Sequence, residues 1–171
     1  MKALFFDRDG TLIHDAGYLS NPDEVKYFDD TFEALERMKK LGFGFFIVTN
    51  QSGVGRGYFK EDCILKVHEK MQKDFQSNGL NLFDIAYCPH SPDDECDCRK
   101  PEPKMILDLA NKHHIDLQES YMIGDKMSDV ECGQNAGAKG ILINTQKLDT
   151  NVELIFDTLS EIADYLENQA R

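Results

Sequence analysis

A chain of 171 residues is long enough for one hydrophobic core and short for two. With 41% hydrophobic and 10% aromatic residues it carries enough apolar surface to offset chain entropy, which excludes intrinsic disorder. Its 19 Lys and Arg against 31 Asp and Glu leave a net charge of −12, which argues against nucleic acid or an anionic membrane as partner. Lys2–Phe6 reads as a short buried strand, and Phe32, Leu35, Met38 and Leu41 recur at helical spacing until Gly42. Phe45–Thr49 is a second apolar strand, followed by Ile64, Val67, Met71 and Phe75 on one helical face before Gly79. Ile85–Cys88 is a third strand, after which Pro101 and Pro103 open a helix through Ile106, Leu109 and Ala110. Strands at Tyr121–Ile123 and Gly140–Ile143 flank a helix from about Ser128 to Asn135 that Gly137 terminates. Leu154–Phe156 and a helix through Leu159, Ile162, Ala163 and Leu166 complete the series.

Near-continuous apolar strands alternating with helices predict a parallel sheet covered on both faces, the doubly wound, Rossmann-like α/β class. Residues 1–171 are expected to form a single domain, since no linker or repeat interrupts the pattern. The longest apolar run near the start, Ala3–Phe6, is too short for a membrane span or a signal-peptide core, so a cytoplasmic protein is expected. Five cysteines with no export signal argue against a disulfide framework and for metal ligation.

In an open α/β sheet, ligands bind beyond the carboxyl ends of the strands. Strand one runs into Asp7-Arg8-Asp9-Gly10-Thr11, strand two into Thr49-Asn50-Gln51-Ser52, and strand four into Gly124-Asp125-Lys126 with Asp129 four residues on. Lys100 precedes the third helix. Each piece has a plainer reading: Asp9-Gly10 is also a hairpin signal, Gly124-Asp125 a strand-to-helix turn, and Thr49-Asn50 a helix cap. Together, each after its strand, they have the parts for phosphoryl transfer. Asp7 can attack phosphorus, and Asp9 can protonate the leaving alkoxide and then deprotonate water. Asp7, Asp125 and the Asp9 backbone carbonyl would hold a Mg²⁺, the hard cation that lets carboxylates face a phosphate. Thr49 and Lys100 would meet the phosphoryl oxygens.

Asp7-x-Asp9-Gly10-Thr11, Thr49-Asn50, Lys100 and Gly124-Asp125-x-x-x-Asp129 resemble the four ordered motifs of haloacid dehalogenase-superfamily phosphatases, over nearly the whole chain. That resemblance implies Asp7 as nucleophile, Asp9 as general acid and base, Thr49 and Lys100 as phosphoryl stabilisers and Asp125 as Mg²⁺ ligand. Val48-Thr-Asn-Gln-Ser-Gly53 and Cys98-Arg-Lys-Pro101 are similar to the branch holding heptose bisphosphate and histidinol-phosphate phosphatases.

Cys88 and His90, then Cys96 and Cys98, form two close pairs that can wrap one tetrahedral Zn²⁺ with no open position, a structural site. The one-residue gaps are unusual for zinc fingers, so spacing alone leaves reduced cysteines as an alternative; the family resemblance favours zinc. Cys63 and Cys132 read as small packing residues, and His14, His68, His113 and His114 show no ligand spacing. One helix and short loops fill the intervals between motifs, so no cap domain is expected and the site should be open.

Specificity then falls to loops carrying Asp15, Gly17, Tyr18, Asn50, Gln51, Ser52 and Arg56, and to Arg99 and Lys126, a locally basic rim for a small phosphorylated metabolite. A monomer is expected. The loops at Asp15–Tyr18 and Gln51–Phe59 look like the heptose bisphosphate phosphatases, whereas the five-residue spacer before Cys96 is similar to the histidinol-phosphate branch. The loops should face the leaving group, and this weighting implies a heptose 1,7-bisphosphate cleaved at the 7-phosphate. A phospho-accepting receiver domain is the rival of another class, but it would need its Asp after the third strand, where this chain has Cys88.

Overall fold

The computed structural model describes residues 1–143 and 151–171. In chain order the elements are β1 (Lys2–Phe6), α1 (Thr31–Lys40), β2 (Phe43–Asn50), a short α2 (Ser52–Gly55), α3 (Glu61–Ser77), β3 (Leu82–Cys88), α4 (Lys104–His113), β4 (Tyr121–Gly124), α5 (Met127–Ala136), β5 (Lys139–Ile143), β6 (Ile155–Phe156) and α6 (Leu159–Gln169). The strands form one six-stranded sheet in the order β3-β2-β1-β4-β5-β6, every pair parallel. This is the doubly wound order, with β1 at the centre and the chain reversing direction between β1 and β4.

The apolar alternation along β1 divides the core. Leu4 and Phe6 face α1, α3 and α6 through Leu35, Met38, Val67, Phe75 and Ile162, while Ala3 and Phe5 face α4 and α5 through Ile106, Leu109 and Cys132. Successive strand residues point to opposite faces, so a strand buried on both sides must be apolar at every position. β2 meets that demand, with Gly44–Thr49 all buried.

Several boundaries differ from the periodicity; β3, for one, begins at Leu82 rather than Ile85. β2 extends beyond Phe45–Thr49 at both ends, because its parallel partners β1 and β3 supply ladder bonds that pattern alone does not reveal. α4 begins at Lys104 rather than at Pro101, with Pro103 as its N-cap; the Glu102 N–H instead closes a turn on Arg99 O at 2.9 Å. Between the motifs the structure has short helices and loops and no inserted domain, which leaves the carboxyl edge of the sheet uncovered. Among the described residues no helix is long and apolar enough to cross a membrane.

Candidate active site

The register brings the ends of three strands level. Phe6 of β1 pairs with Ile47 of β2 and Ile123 of β4, and the Asp7 N–H extends the ladder onto Ile123 O at 2.8 Å. Asp7 and Asp125 therefore emerge side by side where the strand order reverses. Asp7, Asp125 and Asp129 each offer a carboxylate oxygen within 4.8 Å of the others. Gly10 is required beside them, because its φ of +80° suits no side chain and a Cβ there would come 2.3 Å from Asp125 Oδ2.

Lys100 lies in this cluster, fully committed. Its Nζ donates to Asp7 Oδ1 at 2.9 Å and to Val48 O at 2.8 Å, and stands 2.6 Å from Asp129 Oδ1. Burial alone would lower its pKa, but the Asp7 and Asp129 charges outweigh that and hold it above the ordinary lysine value. The carboxylates respond in the opposite sense. Burial first, then Asp7 and Asp129, push Asp125 up to about 7. Burial and Asp7 also raise Asp129, against the pull of Lys100. Crowded, raised carboxylates are an oxygen donor set with surplus negative charge, which a divalent cation would offset.

Around the cluster opens a cavity of about 550 Å³. It is lined by the buried Asp7, Lys100 and Asp129 together with Asp9, and by Asp15, Gly17, Tyr18, Ser52, Arg56, Arg99 and Lys126. Tyr18 packs edge-on against Tyr58 with ring centroids 4.7 Å apart, and the Arg56 guanidinium lies 6.0 Å from the Tyr18 ring. An aromatic and cationic rim can contact both a sugar face and a phosphate.

Asn50 and Gln51 also line the cavity, yet both amides are engaged within the protein. Asn50 Oδ1 accepts from the Lys100 N–H at 3.0 Å and its Nδ2 donates to Lys100 O at 3.3 Å, which pins the residue that carries the ammonium. Gln51 Nε2 donates to Thr49 Oγ1 at 2.8 Å and to Asp9 Oδ2 at 3.0 Å. Thr49 is buried, and a hydroxyl that accepts from an amide keeps its own proton to donate. Asp9 is raised above the ordinary carboxylate value, by burial first, against the lowering charge of Arg8.

Behind this site stand Arg8, to which the sequence assigned no role, and His68, which it read only as showing no ligand spacing. Arg8 is fully buried and bonded to Asp9, Gln51 and His68, and His68 is buried on α3. The available signal was a histidine on the apolar stripe of Ile64, Val67 and Met71, where a polar side chain needs a partner.

β3 ends at Cys88, which meets the second cluster. Cys88 Sγ lies 3.4 Å from His90 Nδ1 and 3.8 Å from Cys96 Sγ, and Cys98 Sγ lies 3.3 Å from the same nitrogen. A tetrahedron with Zn–S near 2.3 Å and Zn–N near 2.0 Å has edges of about 3.5 to 3.8 Å, so the soft donor set has the right size for zinc. All five cysteines are free. Without a metal, burial first and then Cys98 push the Cys88 thiol up to about 12, a cost that ligation would reverse. This loop also braces α2: Gly55 N donates to Pro89 O at 2.8 Å, and a Cβ on Gly55 would meet Ser91 N at 2.4 Å. Cys63 and Cys132 take no part; Cys132 packs in the core and Cys63 is partly exposed.

Residues 97–167 match the model of the HAD-hydrolase-like family. The chain is 42% identical over 153 residues to the D-glycero-beta-D-manno-heptose-1,7-bisphosphate 7-phosphatase of Pasteurella multocida, covering 85% of this chain and 83% of that one. It is 34% identical to the Escherichia coli K12 protein of the same name, over 100% of this chain and 96% of that one. The crystal structure of D,D-heptose 1,7-bisphosphate phosphatase from B. bronchiseptica, complexed with magnesium and phosphate, superposes with a TM-score of 0.88 at 29% identity, covering 99% of both chains. With such identity over most of its length, the chain belongs to the haloacid dehalogenase-superfamily phosphatases, in the family of D-glycero-beta-D-manno-heptose-1,7-bisphosphate 7-phosphatases.

Proposed function

We propose that residues 1–171 act as one catalytic domain that removes the 7-phosphate of D-glycero-beta-D-manno-heptose 1,7-bisphosphate. The observation that carries this reading is the convergence of Asp7, Asp9 and Lys100 in the lining of one uncapped cavity at the reversal point of the sheet. The names of the relatives support the substrate and its anomer.

In this reading an Asp7 oxygen attacks phosphorus while Lys100 fixes its other oxygen, and the phosphorus–alkoxide bond breaks. Asp9, its carboxyl raised by burial, gives the proton to the departing sugar oxygen. The resulting carboxylate then takes a proton from water, which attacks the aspartyl phosphate and releases phosphate, restoring both residues. Thr49 donates its hydroxyl proton to a phosphoryl oxygen, and Lys100 supplies fixed positive charge beneath it.

Mg²⁺ held by Asp7, Asp125 and the Asp9 carbonyl would supply charge neutralisation of the phosphoryl oxygens. Both Asp129 oxygens already accept hydrogen bonds or an ion pair, from Lys126 N and Lys100 Nζ, which supports an orienting task for it. Zn²⁺ on Cys88, His90, Cys96 and Cys98 would hold the loop that delivers Arg99 and Lys100. Arg99, and with it Arg56, suits the second phosphate, since a planar guanidinium can fork onto an anion. The net charge of −12 supports a small free metabolite as partner rather than nucleic acid or membrane, and the reading extends to a monomer working in the cytoplasm.

The test is phosphate release with and without Mg²⁺ from both heptose 1,7-bisphosphate anomers, histidinol phosphate and p-nitrophenyl phosphate. The expected order has the beta anomer first. A higher kcat/KM for histidinol phosphate would overturn the substrate, and Mg²⁺-independent turnover would overturn the mechanism.

A further inference from the structure

Arg8 stands between the two reactive carboxylates in sequence and has no part in the chemistry above, yet it is fully buried. A guanidinium persists in the interior only where partners take its charge and its donors. Its Nε donates to Asp9 Oδ2 at 3.0 Å and its Nη2 to Asp9 Oδ1 at 3.2 Å, a fork on one carboxylate. Nη2 also donates to Gln51 Oε1 at 3.0 Å, and Nη1 lies 3.2 Å from His68 Nε2. His68 is in turn wedged by Tyr87, ring centroids 5.5 Å apart, and the Tyr87 hydroxyl donates to Glu61 at 2.6 Å.

The hydrogen bonds on Asp9 are unequal. Oδ2 accepts twice, from Arg8 Nε and Gln51 Nε2, and so has both lone-pair sites used. Oδ1 accepts once among the described residues, from Arg8 Nη2, and keeps a site for a proton. We propose that Arg8, anchored from α3 by His68, is a positioning residue that orients the Asp9 carboxylate and makes Oδ1 the oxygen that carries the transferred proton. The inference rests on the reading of Asp9 as general acid. His68 is suited to the anchor, because burial and then the Arg8 charge push it down to about 3, and a neutral ring can accept at Nε2. Gln51 joins Arg8, Asp9 and Thr49 into one network, so a shift at α3 reaches the acid through Arg8.

The variants His68→Gln and His68→Asn separate positioning from packing. Both are polar, but only the glutamine amide reaches the place of Nε2. Each is measured on phenyl phosphate and p-nitrophenyl phosphate, which are alike in size and differ in how much the leaving group needs a proton. kcat/KM covers the steps from free enzyme through the first phosphoryl transfer and excludes the later hydrolysis of the aspartyl phosphate. His68→Asn is expected to lose about tenfold on phenyl phosphate and less than about threefold on p-nitrophenyl phosphate, with His68→Gln close to wild type on both. Arg8→Lys, which keeps the charge and loses the fork, is expected to show the same split and carries the comparison if His68→Asn does not fold. Equal losses on the two substrates, or equal behaviour of His68→Asn and His68→Gln, would overturn the proposal. Asp9→Asn is the control: a split there with none in the Arg8 and His68 variants removes the positioning role alone. No split in Asp9→Asn removes the general-acid reading and the proposal together.

Discussion

Lys100 reaches Asp7 across 93 positions of sequence, Nζ to Oδ1 at 2.9 Å, with both side chains almost wholly buried. The same ammonium stands between Asp7 and Asp129, so it neutralises a pair of carboxylates that would otherwise repel. Lys100→Met should therefore harm the fold and the chemistry together. Breaking a buried pair costs about 3–5 kcal/mol, and loss of one fixed charge at a phosphoryl site lowers kcat by roughly 10² to 10³. Melting in the presence of Mg²⁺ should recover part of the stability, since the cation replaces some of the missing charge. An unchanged melting temperature with unchanged turnover would show that the ion pair has neither role.

Asp7→Ala should separate the two effects. Lys100 keeps Asp129 and Val48 O as partners, and removing Asp7 relieves its repulsion of Asp125 and Asp129. The variant should melt close to the parent protein while phosphate release falls to background, because the lost group is the attacking oxygen. Residual turnover within about a hundredfold of the parent would remove Asp7 as nucleophile.

The loop carrying Cys88, His90, Cys96 and Cys98 makes a local prediction, on the proposal that it holds zinc. Cys96 contributes one corner of the cluster, and the loop touches the substrate side through Arg99 Nη1, which lies 3.4 Å from His90 O, and through the Gly55 to Pro89 hydrogen bond. Cys96→Ser should lower the bound zinc below one per chain, as read by elemental analysis after gel filtration, and raise KM for the bisphosphate. The sheet should still form, since its two apolar cores do not depend on that ligand. A full zinc equivalent in the variant, or zinc-free parent protein, would count against a structural metal.

Most of the fold was legible because β1, β2 and β4 are unbroken apolar runs and the helical stripes match the faces that cover them. The proximity of Asp7 and Asp125 was legible for a related reason: each follows its strand at once, and strand ends in a parallel sheet converge. Side-chain pairings between distant segments were not. Arg8 and His68 are 60 positions apart and carry no spacing rule. Asn50 and Gln51 line the cavity as their place at the end of β2 suggests, but only the packed structure shows that their amides also bond Lys100, Thr49, Asp9 and Arg8. The same limit applies to Lys100, whose three protons are matched by Asp7 just after β1, Val48 O of β2 and Asp129 of α5.

Mg²⁺-free protein should lose stability as pH rises toward neutrality. Asp125 is raised from 3.8 to about 7, first by burial and then by Asp7 and Asp129. Between those values the folded chain binds more protons than the unfolded one, so unfolding free energy falls with increasing pH and levels once Asp125 is ionised in both states. Asp129, raised for the same reasons, adds to the slope. A divalent cation competes with the proton for the ionised form, so the gain in melting temperature on adding Mg²⁺ should be small near pH 5 and grow to a plateau above about pH 7. Asp125→Asn should flatten the Mg²⁺-free slope and abolish most of the Mg²⁺-dependent gain, because its amide neither titrates nor carries charge. The difference between parent and variant across pH 4 to 8, followed by thermal melting with and without Mg²⁺, isolates this one carboxylate from the other titrating groups. A parent protein that becomes more stable than the variant as pH rises without Mg²⁺ would reverse the sign and refute the argument.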